Sequence, residues 1–309
     1  MFFTRIGQYA AYLVVRVVIC IVQAMSLETC VTASRWLAWF FCRVLRLRGA
    51  LVDENLRHAF PELTLPERQQ LALRMWEHLF LMPVEIAHAP RKIHDTNWRD
   101  YVTLHGQTDL IRALLSDRPV IMVSGHFGNF EIGGFLLGIL GFPTSSVARP
   151  LDNPYLNHFV NRFRGITGQS IIAKKGGFDD ILAVLARNGT MAFLADQYAG
   201  SKGCWVEFFN RPASAHKAIA LLAMEHQALV CIVAARRADA PMHFEMILDQ
   251  IVDPGDKNAP AGNVREMTQW YTTSLEQLIR KTPDQYWWVH RRWKGKPPAR
   301  GKARAAAAA

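Results

Sequence analysis

The run PVIMVSG, from Pro119 to Gly125, constrains the fold of this chain more than any other stretch. Four apolar residues follow one another with no polar alternation, which is the pattern of a buried strand inside a layered α/β fold. In such folds, sites gather at the carboxyl ends of strands. This strand runs straight into GHFGNFE, which places His126 and Glu131 five positions apart, with Gly125 and Gly128 on either side of the histidine. On a continuous helix, five residues at about 100° each would set the pair roughly 140° apart. They meet only if the chain turns between them, and the two glycines permit that turn. A helix beginning near Asn129 leaves Glu131 in its first turn, from which its carboxylate can fold back onto the imidazole. A carboxylate on one ring nitrogen fixes the tautomer and frees the other nitrogen as a base. A capping glutamate beside a satisfied loop histidine is the plainer alternative.

No nucleophile accompanies the pair. Ser124 lies two residues away, but the chain has no G-x-S-x-G elbow and no cysteine nearby. A base without a protein nucleophile predicts direct transfer, in which His126 deprotonates a substrate hydroxyl that then attacks an activated carbonyl. The other histidines show neither HxxxH nor HExxH spacing, so no metal site is expected.

Around this strand the chain alternates helix and strand patterns. TLPERQQLALRMWEHLFLMPVEIAH predicts a long amphipathic helix, capped by Thr64 with Glu67 three residues on, and broken or kinked at Pro83. Further helices are predicted over 107–116, 130–140, 153–167, 178–188, 213–227 and 263–281. Strands are predicted near SSVARP, at TMAFLAD ending on Asp196, and at ALVCIVAARR and HFEMILDQI. QYAGSKGCWVEFFNRPAS reads as a loop. The pattern implies one α/β domain, 51–295, in which helices flank a mixed central sheet. Residues 296–309, within GKPPARGKARAAAAA (Gly295–Ala309), predict a basic, disordered tail.

Residues 1–50 predict a membrane-attaching helical segment. Tyr9 to Leu27 is nearly all apolar and about long enough to span a bilayer. Arg5, Arg16 and Gln23 would nevertheless fall within about 20° of one another on a helix. That stripe favours a helix lying at the interface, or one whose stripe packs on protein, over a lipid-surrounded span. WLAWFFCRVLRLR follows, an aromatic band ending in Arg43, Arg46 and Arg48, as an anionic lipid surface attracts. The formal net charge of +10 asks for an acidic partner. Nine Trp and seventeen Phe favour a membrane over nucleic acid. Five cysteines without a CxxC pair suit a reducing compartment.

Four blocks in order carry a resemblance to the lipid A biosynthesis acyltransferases, which are bacterial late (lauroyl/myristoyl-type) acyltransferases of the HX4D/E kind. They are ENLRHAFPE (Glu54–Glu62), SGHFGNFE, LADQ followed by VEFFNRPA, and PDQYWWVHRRWK (Pro283–Lys294). Phe130 stands where the family commonly has tryptophan. Asn210 replaces the glycine that usually follows the paired phenylalanines, and asparagine is the best non-glycine choice for a left-handed turn. The resemblance implies a glycerolipid-acyltransferase-like domain at the cytoplasmic side of a bacterial inner membrane. It implies a membrane-associated O-acyltransferase that takes a fatty acyl chain from acyl-carrier protein or an acyl-coenzyme A thioester to a lipid A-type glycolipid. No cofactor beyond that thioester is expected. His126 would be the base, Glu131 its partner, and Arg149, Arg164, Asp196 and Gln197 would line the substrate site. Backbone amides at Gly128 and Asn129 are candidate oxyanion donors. An acyl-coenzyme A enzyme for a phosphatidylinositol mannoside or other glycolipid, a thioesterase and a lipid-binding membrane module remain the alternatives.

Overall fold

The apolar strand lies at the centre of a seven-stranded sheet. The computed structural model describes residues 2–257, 259–260 and 262–298. Strands β1 (Val102–His105), β2 (Val120–Ser124), β3 (Ser145–Ala148), β4 (Ser170–Ala173), β5 (Thr190–Leu194), β8 (Leu229–Arg237) and β9 (Phe244–Val252) are ordered β1-β9-β8-β2-β5-β3-β4. β2 runs parallel to β8 and β5 on its two sides, and β8 pairs antiparallel with β9, so the sheet is mixed as expected. Val120, Ile121, Met122 and Val123 are all buried, as an unbroken apolar run at the sheet centre requires.

Helices cover both faces. Met122 packs with α6 (Phe130–Ile139) through Ile132, Phe135 and Leu136. Ile121 and Val123 share the opposite core with α8 (Phe178–Ala186), α9 (Ala218–Glu225) and α10 (Val264–Lys281). The remaining helices are α1 (Phe2–Ala24), α2 (Leu27–Trp39), α3 (Gly49–Ala59), α4 (Leu65–Lys92), α5 (Gln107–Leu114) and α7 (Pro154–Gly165), with a π-helical turn at Phe40–Val44. α4 starts as predicted, the Glu67 carboxylate accepting from the Thr64 N–H and hydroxyl at 2.7 Å. It continues through Pro83 and Pro90 instead of breaking, because Met75, Trp76, Leu81, Met82 and Val84 bury its flank on both sides of Pro83. That burial offsets the roughly 3 kcal/mol an internal proline costs.

Two further elements depart from expectation. The segment read as a loop folds into an antiparallel hairpin, β6 (Cys204–Phe208) and β7 (Arg211–Ala215). Pairing of Ala213–Ala215 with Cys204–Val206 delays the next helix to Ala218. Its two turn residues, Phe209 and Asn210, have φ of 51° and 54°, so the left-handed turn is kept with asparagine in the glycine's place.

α1 settles where its polar stripe goes. The Asn153 amide donates to the Gln8 carbonyl (2.7 Å) and the Gln23 amide to the Ala87 carbonyl (2.7 Å), so the helix is tied to the domain at Gln8 and at Gln23. Between them the Arg16 guanidinium sits 5.1 Å over the Phe159 ring. The opposite face, with Val14, Val17, Val18 and Ile21, is exposed. The chain-end tail lies from residue 299 onward outside the described residues.

Candidate active site

After β2 the chain reverses in a few residues, and Gly128 makes this possible. Its φ is +61°, and a Cβ there would stand 2.1 Å from the Ala235 carbonyl oxygen. The turn is held by the Gly128 N–H on the Gln285 carbonyl (2.9 Å), the Asn129 N–H on the Ala235 carbonyl (2.7 Å) and the Trp287 N–H on the His126 carbonyl (3.1 Å). Asn129 caps α6, its side-chain oxygen accepting from the Ile132 N–H at 3.4 Å.

A buried polar group supports the turn from below. The Glu85 carboxylate, fully buried, pairs with the Arg237 guanidinium at 2.5 and 2.7 Å and accepts from the Asn129 amide at 3.0 Å. Arg237 also donates to His78 Nδ1 (2.9 Å), while His78 Nε2–H donates to the Gly128 carbonyl (3.2 Å). His78 is therefore neutral, with its proton on Nε2. Burial, and after it the Arg237 charge, push its pKa down to about 3.

The carboxylate on the His126 ring is Asp196. It follows β5, the neighbour of β2, and its Oδ1 lies 2.8 Å from His126 Nδ1 while its Oδ2 accepts the His126 backbone N–H at 2.9 Å. A Cβ on Gly125 would come within 3.3 Å of the Asp196 side chain, which is the close approach that glycine allows. Burial would raise the Asp196 carboxyl, but the His126 charge and these two hydrogen bonds outweigh it and bring the pKa down to about 2. An ionised acceptor keeps the imidazole proton on Nδ1 and leaves Nε2 as the basic nitrogen. The Gln197 amide donates to Nε2 at 3.3 Å.

Glu131 takes a different partner from the one expected. α6 begins at Phe130, and from its first turn the Glu131 carboxylate meets the Arg164 fork on the last turn of α7, at 2.9 Å from Nε and 2.5 Å from Nη2. The expectation of a His126–Glu131 bond is corrected accordingly: Glu131 holds Arg164, and Asp196 holds His126. The expectation for the amides of Gly128 and Asn129 is corrected as well, since both are consumed by carbonyls of the fold. The N–H groups of Phe130 and Glu131, the first two of α6, have no partner among the described residues.

His126, Glu131, Arg164 and Gln197 line one cavity of about 550 Å³ that straddles the carboxyl end of the sheet. On the α6 face it is walled by Met122, Gly133, Gly134, Leu137 and Ala192, and on the other by Ile181, Phe193 and Ile219. Arg149 borders it as an exposed side chain paired with Asp152 at 3.0 Å. Trp287 and His290 pack on the His126 ring, the His290 ring centroid 4.8 Å from that of His126. Glu85, Arg237, His78, Gln285 and His290 had not been singled out from the sequence. A lone glutamate among apolar residues in LMPVEIAH was the available signal for Glu85, and the PDQYWWVH block contains Gln285 and His290.

The family profile described as bacterial lipid A biosynthesis acyltransferase matches residues 3–295. The chain belongs to this family. It is an acyltransferase. It is similar to the lipid A biosynthesis palmitoleoyltransferase of Escherichia coli K12, 26% identical over 260 residues that cover 82% of this chain and 81% of the relative. The lipid A biosynthesis lauroyltransferase of the same organism is 24% identical over 262 residues, 82% of each chain. Among solved structures, the 1-acyl-sn-glycerophosphate acyltransferase PlsC of Thermotoga maritima aligns with 87% of this chain and 100% of its own, at 13% identity and a TM-score of 0.39.

Proposed function

We propose that this acyltransferase moves a fatty acyl chain from an acyl thioester, carried by acyl-carrier protein or coenzyme A, to a hydroxyl of a lipid A-type glycolipid precursor. The observation that carries this reading is a histidine whose Nδ1 is held by a buried carboxylate and whose ring lines a cavity with apolar walls and an arginine at one corner. His126 Nε2 takes the proton of the acceptor hydroxyl as its oxygen attacks the thioester carbonyl carbon. The oxyanion that forms is met by the Arg164 guanidinium, aimed by Glu131, and by the first amides of α6. The C–S bond then breaks and the imidazolium returns its proton to the leaving sulfur, giving an ester and a free thiol. General-base catalysis of this kind supplies about 10²–10⁴-fold, and each well-placed oxyanion donor about 2.7–4 kcal/mol. The chain supplies base, orienting carboxylate and electrophilic donor, so the reading requires no cofactor beyond the thioester. The names of the two Escherichia coli relatives support a lipid A acceptor and a long acyl chain.

Membrane association is part of the proposal. α1 bonds to the domain at Gln8 and Gln23, near its two ends, and turns an apolar face outward, which fits a helix lying in the interface better than one crossing it. Trp36, Leu37, Trp39, Phe40, Val44, Leu45 and Leu47 extend that exposed band, with Arg43, Arg46 and Arg48 beside it. The free thiols fit the cytoplasmic side of a bacterial inner membrane.

Purified protein in lipid vesicles, given a labelled acyl thioester with and without glycolipid, tests the reading. Label on the glycolipid is expected, and its loss in His126→Ala. Release of free fatty acid with no labelled glycolipid would overturn transfer in favour of hydrolysis.

A further inference from the structure

Across the sheet from the Glu131–Arg164 pair, the same cavity has a second charged corner that the chemistry above does not use. Lys174 directly follows β4 and His216 directly follows β7, and both line the cavity beside Ile181, Phe193 and Ile219. Only their backbones are engaged by the fold. The Lys174 N–H donates to the Ala148 carbonyl at 2.9 Å, and the His216 carbonyl accepts from the Tyr271 hydroxyl at 3.0 Å. Among the described residues neither side chain has a hydrogen-bond or ion-pair partner. The two are close enough that the Lys174 charge, after burial, pushes the His216 pKa down. Asp196 is the carboxylate that acts on His216 in the opposite sense, and it is already held by His126. Arg149 stands at the rim and the buried Arg292 lies behind, adding positive charge. A half-buried imidazole and an exposed ammonium border this apolar wall with no carboxylate of their own, a corner that an incoming anion completes through charge-assisted hydrogen bonds.

We infer that Lys174 and His216 form an anion-binding corner for a phosphate or phosphodiester group carried by one of the two substrates. The inference rests on the acyl-transfer reading above and names which part of a substrate this wall of the cavity recognises. Lys174 supplies charge and three donors, and His216 a directional N–H. A substrate anchored here would hold its reacting group toward His126, on the other side of the sheet end.

Steady-state kinetics in vesicles test it, with Lys174→Gln, His216→Gln, the charge-keeping Lys174→Arg, and Lys175→Gln as a neighbour outside the cavity. Lys174→Gln and His216→Gln are expected to raise KM for one substrate about tenfold, more than they lower kcat, the loss of a charge-assisted contact. Lys174→Arg recovers most of this, and Lys175→Gln leaves KM at the wild-type value. The source follows from removing the phosphate of one substrate at a time, using acyl-pantetheine for the donor and the dephosphorylated glycolipid for the acceptor. Removing the recognised phosphate raises the wild-type KM by the same factor and leaves that of Lys174→Gln unchanged. Unchanged KM values in both glutamine variants, an equal loss in Lys175→Gln, or a Lys174→Gln defect that persists on both phosphate-free substrates would overturn the inference. Absence of any acyl transfer by the wild-type protein would instead remove the reading beneath it.

Discussion

Two carboxylates stand near one histidine, and only one of them touches it. Asp196 accepts both from the ring and from the backbone of His126, whereas Glu131 is committed to Arg164. The difference has a kinetic signature. Asp196→Asn cannot hold the same tautomer or stabilise the imidazolium, so kcat is expected to fall about 10²–10⁴-fold with the fold retained. Glu131→Gln keeps a neutral acceptor for Arg164 and should cost about 10–100-fold. The reverse ranking in measured kcat would return the orienting role to Glu131. The buried histidines give a second prediction, read in stability. Burial first, then Arg237 for His78 and His126 for His290, lower their pKa values to about 3 and about 4. Both are neutral in the fold and protonate in the unfolded chain below about pH 6.5, so their contribution is complete above that pH and is lost on acidification toward those values. Unfolding free energies from urea titrations between pH 7 and 4 should fall, by up to about 1.4 kcal/mol per pH unit for each group. His78→Gln should flatten that slope.

At the scale of elements, α6 sits where it does because it carries glycine where the chain around it crowds. A Cβ on Gly138 would meet the Thr167 carbonyl oxygen at 2.0 Å, a backbone atom with no side chain to swing aside. Gly138→Ala is expected to lower stability by about 1–3 kcal/mol, seen as a drop in Tm. Displacement of α6 should also reduce acyl transfer, because the helix carries Glu131 and one wall of the cavity. The β6–β7 hairpin shows the opposite case, in which asparagine serves where glycine is usual. Asn210→Val, a branched side chain at φ 54°, should destabilise by about 1–2 kcal/mol while Asn210→Gly stays near neutral. Equal stability of the two variants would mean that the turn can relax.

On the scale of the whole molecule, the apolar helix and the cavity mouth belong to one side. α1 meets α7 beside Asp152 and Asn153, and Arg149 at the cavity edge pairs with Asp152. A lipid held against α1 is thus near the entrance. Val14→Asp with Val18→Asp should release the protein from anionic vesicles in a sedimentation assay and leave Tm unchanged, since both side chains are exposed. Undiminished vesicle binding would assign attachment to the Trp36–Leu47 band instead.

By itself the sequence determined the architecture around β2, the polar stripe of α1, the cap at Thr64 and the turn at Gly128. These are local matters of period, capping and backbone freedom, written within a few residues of where they act. The short edge strands β1 and β4 and the β6–β7 hairpin were not legible, because four- and five-residue strands carry too little pattern and depend on their partners. His126 and Glu131 were named from the sequence, and Arg164, Asp196 and Gln197 through the family resemblance, but their pairing was not. Asp196 is 70 positions from His126 and Arg164 is 33 from Glu131, and no local rule chooses between two carboxylates for one imidazole. The parallel register of β2 and β5 decides it, by setting the two strand ends side by side and carrying Glu131 away on α6.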